Sequence, residues 1–375
     1  MPQTLHIQPS LIQWAISRAG FEVDAFIERF PKAQLWMEEG KQPTLSQLRD
    51  FAQKTHVPFG YLLLEAPPEE TLPIPFFRST QHKTQDIPVN LKETIAIIHR
   101  RQQWLTQYLQ EQGYTALPFV GKFSTDSSIE DVVRDIRSTL GLKEHWASEC
   151  KNWQEALQLL TERVEDAGIY VFFNGVVGNN THRPIEVKDC RGFVLSDSIA
   201  PSLFVNADDS KAAQMFTIVH ELSHIWIGKS AGFDFRNLQP HQNDTELFCD
   251  SVAAEFLVPE HSFRSAWQQN QDFDTLARQF KVSQLVIARR AMDGNYISRK
   301  QFFDFYDEHI AKFVQIKKNK GDGGNFYATL RRRLNPRYFK AVNTALNEGR
   351  ILHKTAYQLT DLKGKTYHSA VEKLL

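Results

Sequence analysis

The chain has 375 residues, of which 42% are hydrophobic, and its 44 basic and 44 acidic side chains cancel to a net charge of zero. This length and apolar content exclude a disordered chain and predict two or three domains with substantial cores. The three cysteines, Cys150, Cys190 and Cys249, form no Cys-x-x-Cys pair, which predicts reduced thiols in a cytoplasmic protein. No segment has the pattern of a signal peptide or the roughly eighteen apolar residues of a membrane span, so no membrane contact is expected.

Residues 1–66 predict a bundle of short helices separated by tight turns. The run Leu35–Gly40, followed by Pro43, Thr44 and Leu48, resembles the Xre-type helix-turn-helix domain. Such a domain is expected to bind DNA through the second helix of its helix-turn-helix pair.

The resemblance places the DNA-binding helix near residues 31–37, where Lys32 and Gln34 are the candidate base contacts. The charge of this region is unfavourable, because residues 1–70 carry 6 basic and 9 acidic side chains and Glu38 lies at the end of that helix. Two interpretations therefore stay open: operator binding, and a domain that serves dimerisation or partner docking.

Residues 67–167 predict a linker followed by a helical connector. Four prolines between residues 66 and 76 favour stiff, extended backbone. Beyond them, the apolar spacing predicts a long helix over 91–109 and shorter helices over 128–141 and 152–166. We interpret these helices as packing elements.

Residues 168–265 predict a small domain that combines strands with helices. Runs of β-branched and aromatic residues indicate strands at 169–173, 192–195 and 203–205. These strands would form a short twisted sheet.

A helix is predicted after the strands, over His220-Glu221-Leu222-Ser223-His224, with Asp209 and Ser210 as candidate N-caps. Histidines four residues apart lie on one helical face, close enough for both imidazoles to bind one Zn²⁺. Glu221 lies beside them, where a carboxylate can take a proton from a water molecule at the metal. The alternative is an amphipathic helix with two surface histidines.

Glu246 is the candidate third ligand, since a catalytic zinc site needs three protein ligands and one open position. It begins a second helical pattern that Pro259 ends. Asp250 lies four residues after Glu246 and so faces the same way, where it could accept the free N–H of a ligating imidazole. This third ligand makes the alternative of two surface histidines less favourable.

These residues resemble the ImmA/IrrE family of bacterial and phage metallopeptidases. The resemblance runs from Phe193 to His224 and continues from Glu246 through a helix that ends in Leu257-Val258-Pro259. It implies a zinc-dependent endopeptidase in which the two histidines and the later glutamate hold Zn²⁺ and Glu221 is the catalytic base. The family usually has asparagine where this chain has Asp250, a difference that leaves the three ligands unaffected.

The same resemblance implies a protein substrate or partner, such as a repressor or a cognate toxin. The expected setting is a bacterial or phage stress-response, defence or toxin–antitoxin system. The alternative is a non-catalytic antitoxin or transcriptional regulator that keeps the metal-site fold as a binding module.

Residues 266–375 predict further helices and a basic tail. Apolar spacing over 276–292 predicts a plain helical pair rather than a second DNA-binding element. Residues 311–375 carry 14 basic and 4 acidic side chains, with arginines at 331–333 and 337. This segment is expected to engage a macromolecular partner, with a protein favoured over nucleic acid, and a solvated basic face is the alternative.

The predicted fold class is α+β and mainly helical. It comprises an N-terminal helix-turn-helix bundle, a linker and helical connector, a small zincin domain with a short β-sheet and the motif helix, and a helical C-terminal region.

Overall fold

The computed structural model describes residues 4–38, 40–70, 87–233, 244–316 and 326–375. Residues 71–76 of the predicted linker and 317–325 of the predicted basic tail lie outside the described residues. The chain forms two compact units, which divide within a helix between Ala96 and Ile97. We describe each unit by itself.

The first unit is a bundle of short helices, as predicted for this part of the chain. Its elements are α1 (Pro9–Arg18), α2 (Val23–Arg29), α3 (Lys32–Met37), α4 (Leu45–Thr55) and a 3₁₀ helix (Phe59–Leu63). Helix α4 begins with a capping box, because Thr44 and Gln47 each accept a backbone N–H of the other. The rings of Phe26 and Trp36 each pack edge to face against the ring of Phe51 in the core. These contacts join α2, α3 and α4.

The second unit begins within α5 (Val89–Glu111) and contains all of the strands and most of the helices. Before the sheet come α6 (Ile129–Leu140) and α7 (Trp153–Asp166). The strands are β1 (Tyr170–Asn174), β2 (Val176–Val177), β3 (Asn180–Pro184), β4 (Gly192–Leu195), β5 (Ser202–Asn206) and β6 (Ala231–Phe233). The remaining helices are α8 (Lys211–Trp226), α9 (Asp244–Leu257), α10 (Glu260–Gln269), α11 (Phe273–Phe280), α12 (Gln284–Asp293), α13 (Arg299–Ile316), α14 (Phe326–Leu334), α15 (Pro336–Asn347), α16 (His353–Thr360) and α17 (Gly364–Leu374).

The main sheet has four strands in the order β1, β5, β4, β6. Strand β1 runs parallel to β5, whereas β4 is antiparallel to both β5 and β6. The three strands predicted from the sequence are the first three of this order. Strands β2 and β3 form a separate antiparallel hairpin, which the sequence patterns did not predict.

Helix α8 lies at the centre of the second unit. It packs against β4 and β5 of the sheet and against helices α6, α7 and α9. Its apolar residues join the largest core cluster, and every residue from Thr217 to Trp226 is buried. Both faces of this helix are therefore covered, including the face that carries the two histidines.

The C-terminal region forms four short helices, α14 to α17, in the part of the chain where further helices were predicted. Asn335 caps α15 by accepting the backbone N–H groups of Arg337 and Tyr338, and Pro336 occupies the first helical turn. The guanidinium of Arg332 lies 3.9 Å above the centroid of the Phe173 ring, so α14 is fixed against the sheet.

These observations confirm a mainly helical α+β fold with a small central sheet. The predicted helical pair over 276–292 is present as α11 and α12. Within the part of the chain that the structure describes, no helix combines the length and the apolar character that crossing a membrane requires.

Glu165, near the end of α7, gives the fold a pH-dependent contact with α15. Its Oε1 accepts a hydrogen bond from Asn335 Nδ2 at 2.8 Å. Burial raises the pKa of Glu165 to about 7, although the nearby Arg337 opposes this shift. The folded chain therefore holds this proton more tightly than the unfolded chain does.

The wild-type chain should lose stability as the pH rises from 4.5 to about 7, because the folded state favours protonated Glu165. We expect the Glu165→Gln variant not to show this loss. The loss amounts to about 3 kcal/mol, since each unit of pKa corresponds to about 1.4 kcal/mol. Urea unfolding of both proteins at about pH 5 and about pH 8 measures it. An equal pH dependence in the two proteins would show that Glu165 is ionised in the fold at neutral pH.

Candidate metal centre

The helix that carries the His-Glu-x-x-His motif begins with a side-chain cap. Ser210, one of the two predicted caps, accepts the backbone N–H of Ala213. From there α8 runs without interruption to Trp226, so the two histidines lie one helical turn apart. Both rings are fully buried, which is unusual for histidine and requires polar partners.

Helix α9 provides those partners. Glu246 lies in its first turn and its carboxylate is buried, with 2% of the residue exposed. Glu246 Oε2 lies 3.1 Å from His220 Nε2, and Glu246 Oε1 lies 3.4 Å from His224 Nε2. The two Nε2 atoms are 3.2 Å apart. The structure therefore brings the three predicted ligand side chains together around one small space.

The size of this triangle fits a zinc ion. A tetrahedral zinc with bonds of about 2.0–2.1 Å to nitrogen and oxygen holds its ligand atoms about 3.3 Å apart. The separations in the structure lie close to that value: 3.2 Å between the two Nε2 atoms, and 3.1 and 3.4 Å from these atoms to the two different carboxylate oxygens of Glu246. Among the described residues, these three side chains are the group of histidine, cysteine and acidic side chains that could share a metal ion.

Asp250 lies behind His220, away from the triangle. Its Oδ1 is 3.0 Å from His220 Nδ1, which fixes the ring orientation and leaves Nε2 facing Glu246. Burial alone would lower the pKa of His220, but the hydrogen bonds with Asp250 and Glu246 outweigh it and raise that pKa to about 10. Burial would likewise raise the pKa of Glu246, but the two histidines hold it far below its usual range.

Glu221 differs from the other carboxylates in having no compensating contact. It is fully buried, and neither of its oxygens has a hydrogen-bond partner among the described residues. Burial raises the pKa of Glu221 well above its usual value. A buried carboxylate without a partner costs several kcal/mol, so its retention at this position points to a chemical role rather than a structural one.

Two further residues lie against Glu221, and the sequence patterns did not single out either of them for the site. Gly192 begins β4, where a Cβ atom would lie 3.7 Å from Glu221 Oε1 and only 2.3 Å from the methyl carbon of Thr217. Thr217 lies one helical turn before Glu221 and is buried. Strand and helix can approach this closely only because residue 192 has no side chain.

We expect Gly192→Ala to force β4 away from α8, because its Cβ would lie only 2.3 Å from the methyl carbon of Thr217 on that helix. The same Cβ would also lie 2.8 Å from the carbonyl oxygen of Phe204 on β5. Overpacking of this kind costs about 1–3 kcal/mol, measurable by urea unfolding. Thr217→Ser removes the methyl group that lies closest, so the double variant should recover part of the loss. Equal losses in the single and double variants would show that this methyl group does not set the strand position.

The N-terminal candidates form no comparable site. Lys32 and Gln34 are both exposed on α3, and Gln34 Nε2 donates a hydrogen bond to Glu38 Oε2 at 2.9 Å. The base-contacting role of these two side chains therefore stays a prediction. The acidic Glu38 beside Gln34 is unfavourable for it, because DNA is negatively charged.

The buried triangle, the adjacent carboxylate and the sheet beside them lie within one continuous part of the chain, from β1 to α9. Residues 164–292, from the end of α7 through α12, match the family model Peptidase M78, described as the IrrE N-terminal-like domain. This match supports grouping the domain with the ImmA/IrrE-type metallopeptidases.

A second match lies in the C-terminal region, where residues 336–373 match a domain of unknown function, DUF8813. Comparison with curated proteins and comparison with solved structures found no match.

Proposed function

We propose that the chain is a zinc-dependent endopeptidase in which His220, His224 and Glu246 hold the metal and Glu221 is the catalytic base. The observation that carries the proposal is the buried Glu221, which has no hydrogen-bond partner among the residues that the structure describes. It lies beside ligand atoms whose separations fit a zinc ion. When bound, Zn²⁺ would polarise the scissile carbonyl and make water a better nucleophile at neutral pH.

The protein's own groups account for the proton transfers. Glu221 accepts the proton of the attacking water and returns it to the leaving amine nitrogen. The raised pKa of Glu221 suits both steps, because such a carboxylate binds a proton readily and can later donate it. Asp250 holds His220 through Nδ1, so Nε2 stays directed at the metal position.

The sheet supports an extended substrate. Strand β4 lies closest to Glu221 through Gly192, and β6 is paired to the outer side of β4. A peptide main chain could add to the outer edge of β6 by backbone hydrogen bonds, as in other cases of strand addition. We propose a protein substrate with an extended segment, such as a repressor or a cognate toxin of a stress-response, defence or toxin–antitoxin system.

A library of peptides prepared from a bacterial proteome provides a direct test, since it does not require the natural substrate. The wild-type protein with zinc should generate new peptide N-termini, detected by mass spectrometry. Chelation with 1,10-phenanthroline should abolish them. If the zinc-loaded protein generates none, the chain is the non-catalytic regulator, and if chelated protein cleaves equally, the metal is not the catalyst.

A further inference from the structure

The last three helices pack together, and α14 contacts both α15 and α17. Helices α15, α16 and α17 share a core in which the rings of Phe339 and Tyr367 meet edge to face at 5.6 Å. Helices α16 and α17 are joined by only three residues, 361–363, and Asp361 adopts a left-handed conformation with φ of 54°. Two short helices joined by such a turn are the arrangement of a helix-turn-helix unit.

The turn between these helices is fixed by contacts with the rest of the second unit. Arg101 of α5 donates to the carbonyl of Leu359 at 3.0 Å and to Asp361 Oδ2 at 2.9 Å. Arg100 lies 3.8 Å from the other oxygen of Asp361. Asn179 donates to the backbone carbonyl of Asp361. These contacts fix the turn and also compensate the negative charge of its acidic residue.

The exposed side of this pair is basic and polar. Lys354 lies in the first turn of α16, and Lys363 and Lys365 lie at the start of α17. All three are exposed, and none forms an ion pair with any residue that the structure describes. The rings of His353 and His368 are 6.3 Å apart, which places the exposed starts of the two helices side by side.

The side chains along α17 also suit base edges. Lys365, Thr366 and His368 are exposed within its first turns and offer hydrogen-bond donors and acceptors, whereas Tyr367 is buried in the core. The exposed acidic residue of this helix, Glu372, lies two turns further along. Lys363 and Lys365 therefore place positive charge at the start of α17, which is the end that a recognition helix presents to base edges. Lys373, in the last turn of α17, lies over the ring of Tyr327.

We propose that α16 and α17 form a DNA-binding surface, with α17 in the major groove and α16 across the phosphate backbone. The lysines and histidines would contact phosphates, and the polar side chains of α17 would contact base edges. This inference goes beyond the proposed peptidase function and does not depend on it.

The observations favour DNA over an acidic protein partner. Protein interfaces depend on exposed aromatic and arginine side chains, but Tyr367 is buried and three arginines of the tail are engaged within the chain. The exposed Arg331 lies on α14, outside the α16–α17 pair. Arg332 lies against Phe173, Arg333 contacts Asn179, and Arg337 pairs with Asp166. Leu352, which is 75% exposed, is the large apolar side chain at this surface.

The test compares full-length proteins in which two lysines are replaced by glutamine. Lys363→Gln with Lys365→Gln removes two charges from α17, and Lys143→Gln with Lys151→Gln removes two exposed charges elsewhere in the same unit. Binding to fluorescent duplex DNA of mixed sequence, about 30 base pairs long, is measured by anisotropy over a range of KCl concentrations. A third variant, Lys32→Gln with Gln34→Ala, tests the N-terminal helix.

We expect the α17 variant to lose affinity by about tenfold and the slope of log affinity against log salt to fall by about 2. The control should match the wild-type protein, and thermal unfolding should be unchanged because both lysines are exposed. An α17 variant that binds like the control would overturn the proposal. A loss of affinity only in the N-terminal variant would assign DNA binding to α3 instead. A wild-type protein that binds single-stranded RNA but not duplex DNA would also refute the DNA-binding surface.

Discussion

Replacing Glu221 with glutamine is expected to reduce peptide cleavage by about a thousandfold while leaving bound zinc unchanged. Glutamine keeps the size of the side chain but cannot accept the proton of the attacking water, and general base catalysis contributes about 10²–10⁴ in rate. The zinc is retained because the three ligand side chains are untouched. Cleavage rate and elemental analysis on the same preparation measure both quantities.

The variant should also be more stable than the wild-type protein, since a neutral amide replaces a buried carboxylate that has no hydrogen-bond partner in the described part of the chain. Glu165→Gln is a matched control, because Glu165 is another carboxylate of this unit with a raised pKa but lies outside the site. That control should cleave at the wild-type rate. Substantial activity in Glu221→Gln would remove Glu221 from the mechanism.

Replacing Arg101 with methionine is expected to destabilise the second unit by about 3 kcal/mol. Arg101 is 4% exposed, and its guanidinium binds Asp361 and donates to the carbonyl oxygens of Leu359 and Arg333. Methionine fills similar space but leaves those acceptors without their donor. Urea unfolding followed by near-ultraviolet circular dichroism measures the change.

Arg100→Met is the matched control for this prediction. Arg100 precedes Arg101 on α5 and approaches the same carboxylate, but half of its side chain is exposed and its distance to Asp361 is 3.8 Å. Exposed pairs contribute at most about 1 kcal/mol, so the control should lose far less stability. Equal losses in the two variants would show that burial of Arg101 does not determine its contribution.

The elements that could be predicted from the sequence are those whose signal is local. The His-Glu-x-x-His spacing fixes the relative positions of His220 and His224 as soon as a helix forms. The same reasoning placed Glu246 and Asp250 on one face of α9, and both side chains lie beside His220 in the structure. Strands β1, β4 and β5 were predicted because each is a run of apolar residues.

Other features depend on partners that are distant in the sequence. Arg100 and Arg101 are charged residues on an amphipathic helix, a pattern typical of a solvated face, whereas the partner that binds Arg101 lies 260 residues later. Gly192 gains its role from Thr217 on another element. Strand β6 has only three residues, and β3 is largely exposed and polar, so neither has the apolar run that indicates a strand.

The charge of the C-terminal segment shows a further limit. Its net positive charge was predicted from composition, but composition does not show which side chains are already engaged. In the structure three arginines are engaged: Arg332 with Phe173, Arg333 with Asn179 and Arg337 with Asp166. Lys363 and Lys365, by contrast, face solvent. Our proposal for the partner of this segment therefore rests on the exposed lysines rather than on the total charge.

The most direct test of the metallopeptidase proposal is the zinc content of the purified chain, measured by elemental analysis after dialysis. The wild-type protein should contain about one zinc per chain, because two histidines and one glutamate form a three-ligand site. Glu246→Ala should lose most of this metal, whereas Asp244→Ala, an exposed acidic residue in the same turn, should retain it. A negligible zinc content in the wild-type protein would contradict the proposed metal centre. Equal zinc contents in Glu246→Ala and Asp244→Ala would contradict it as well.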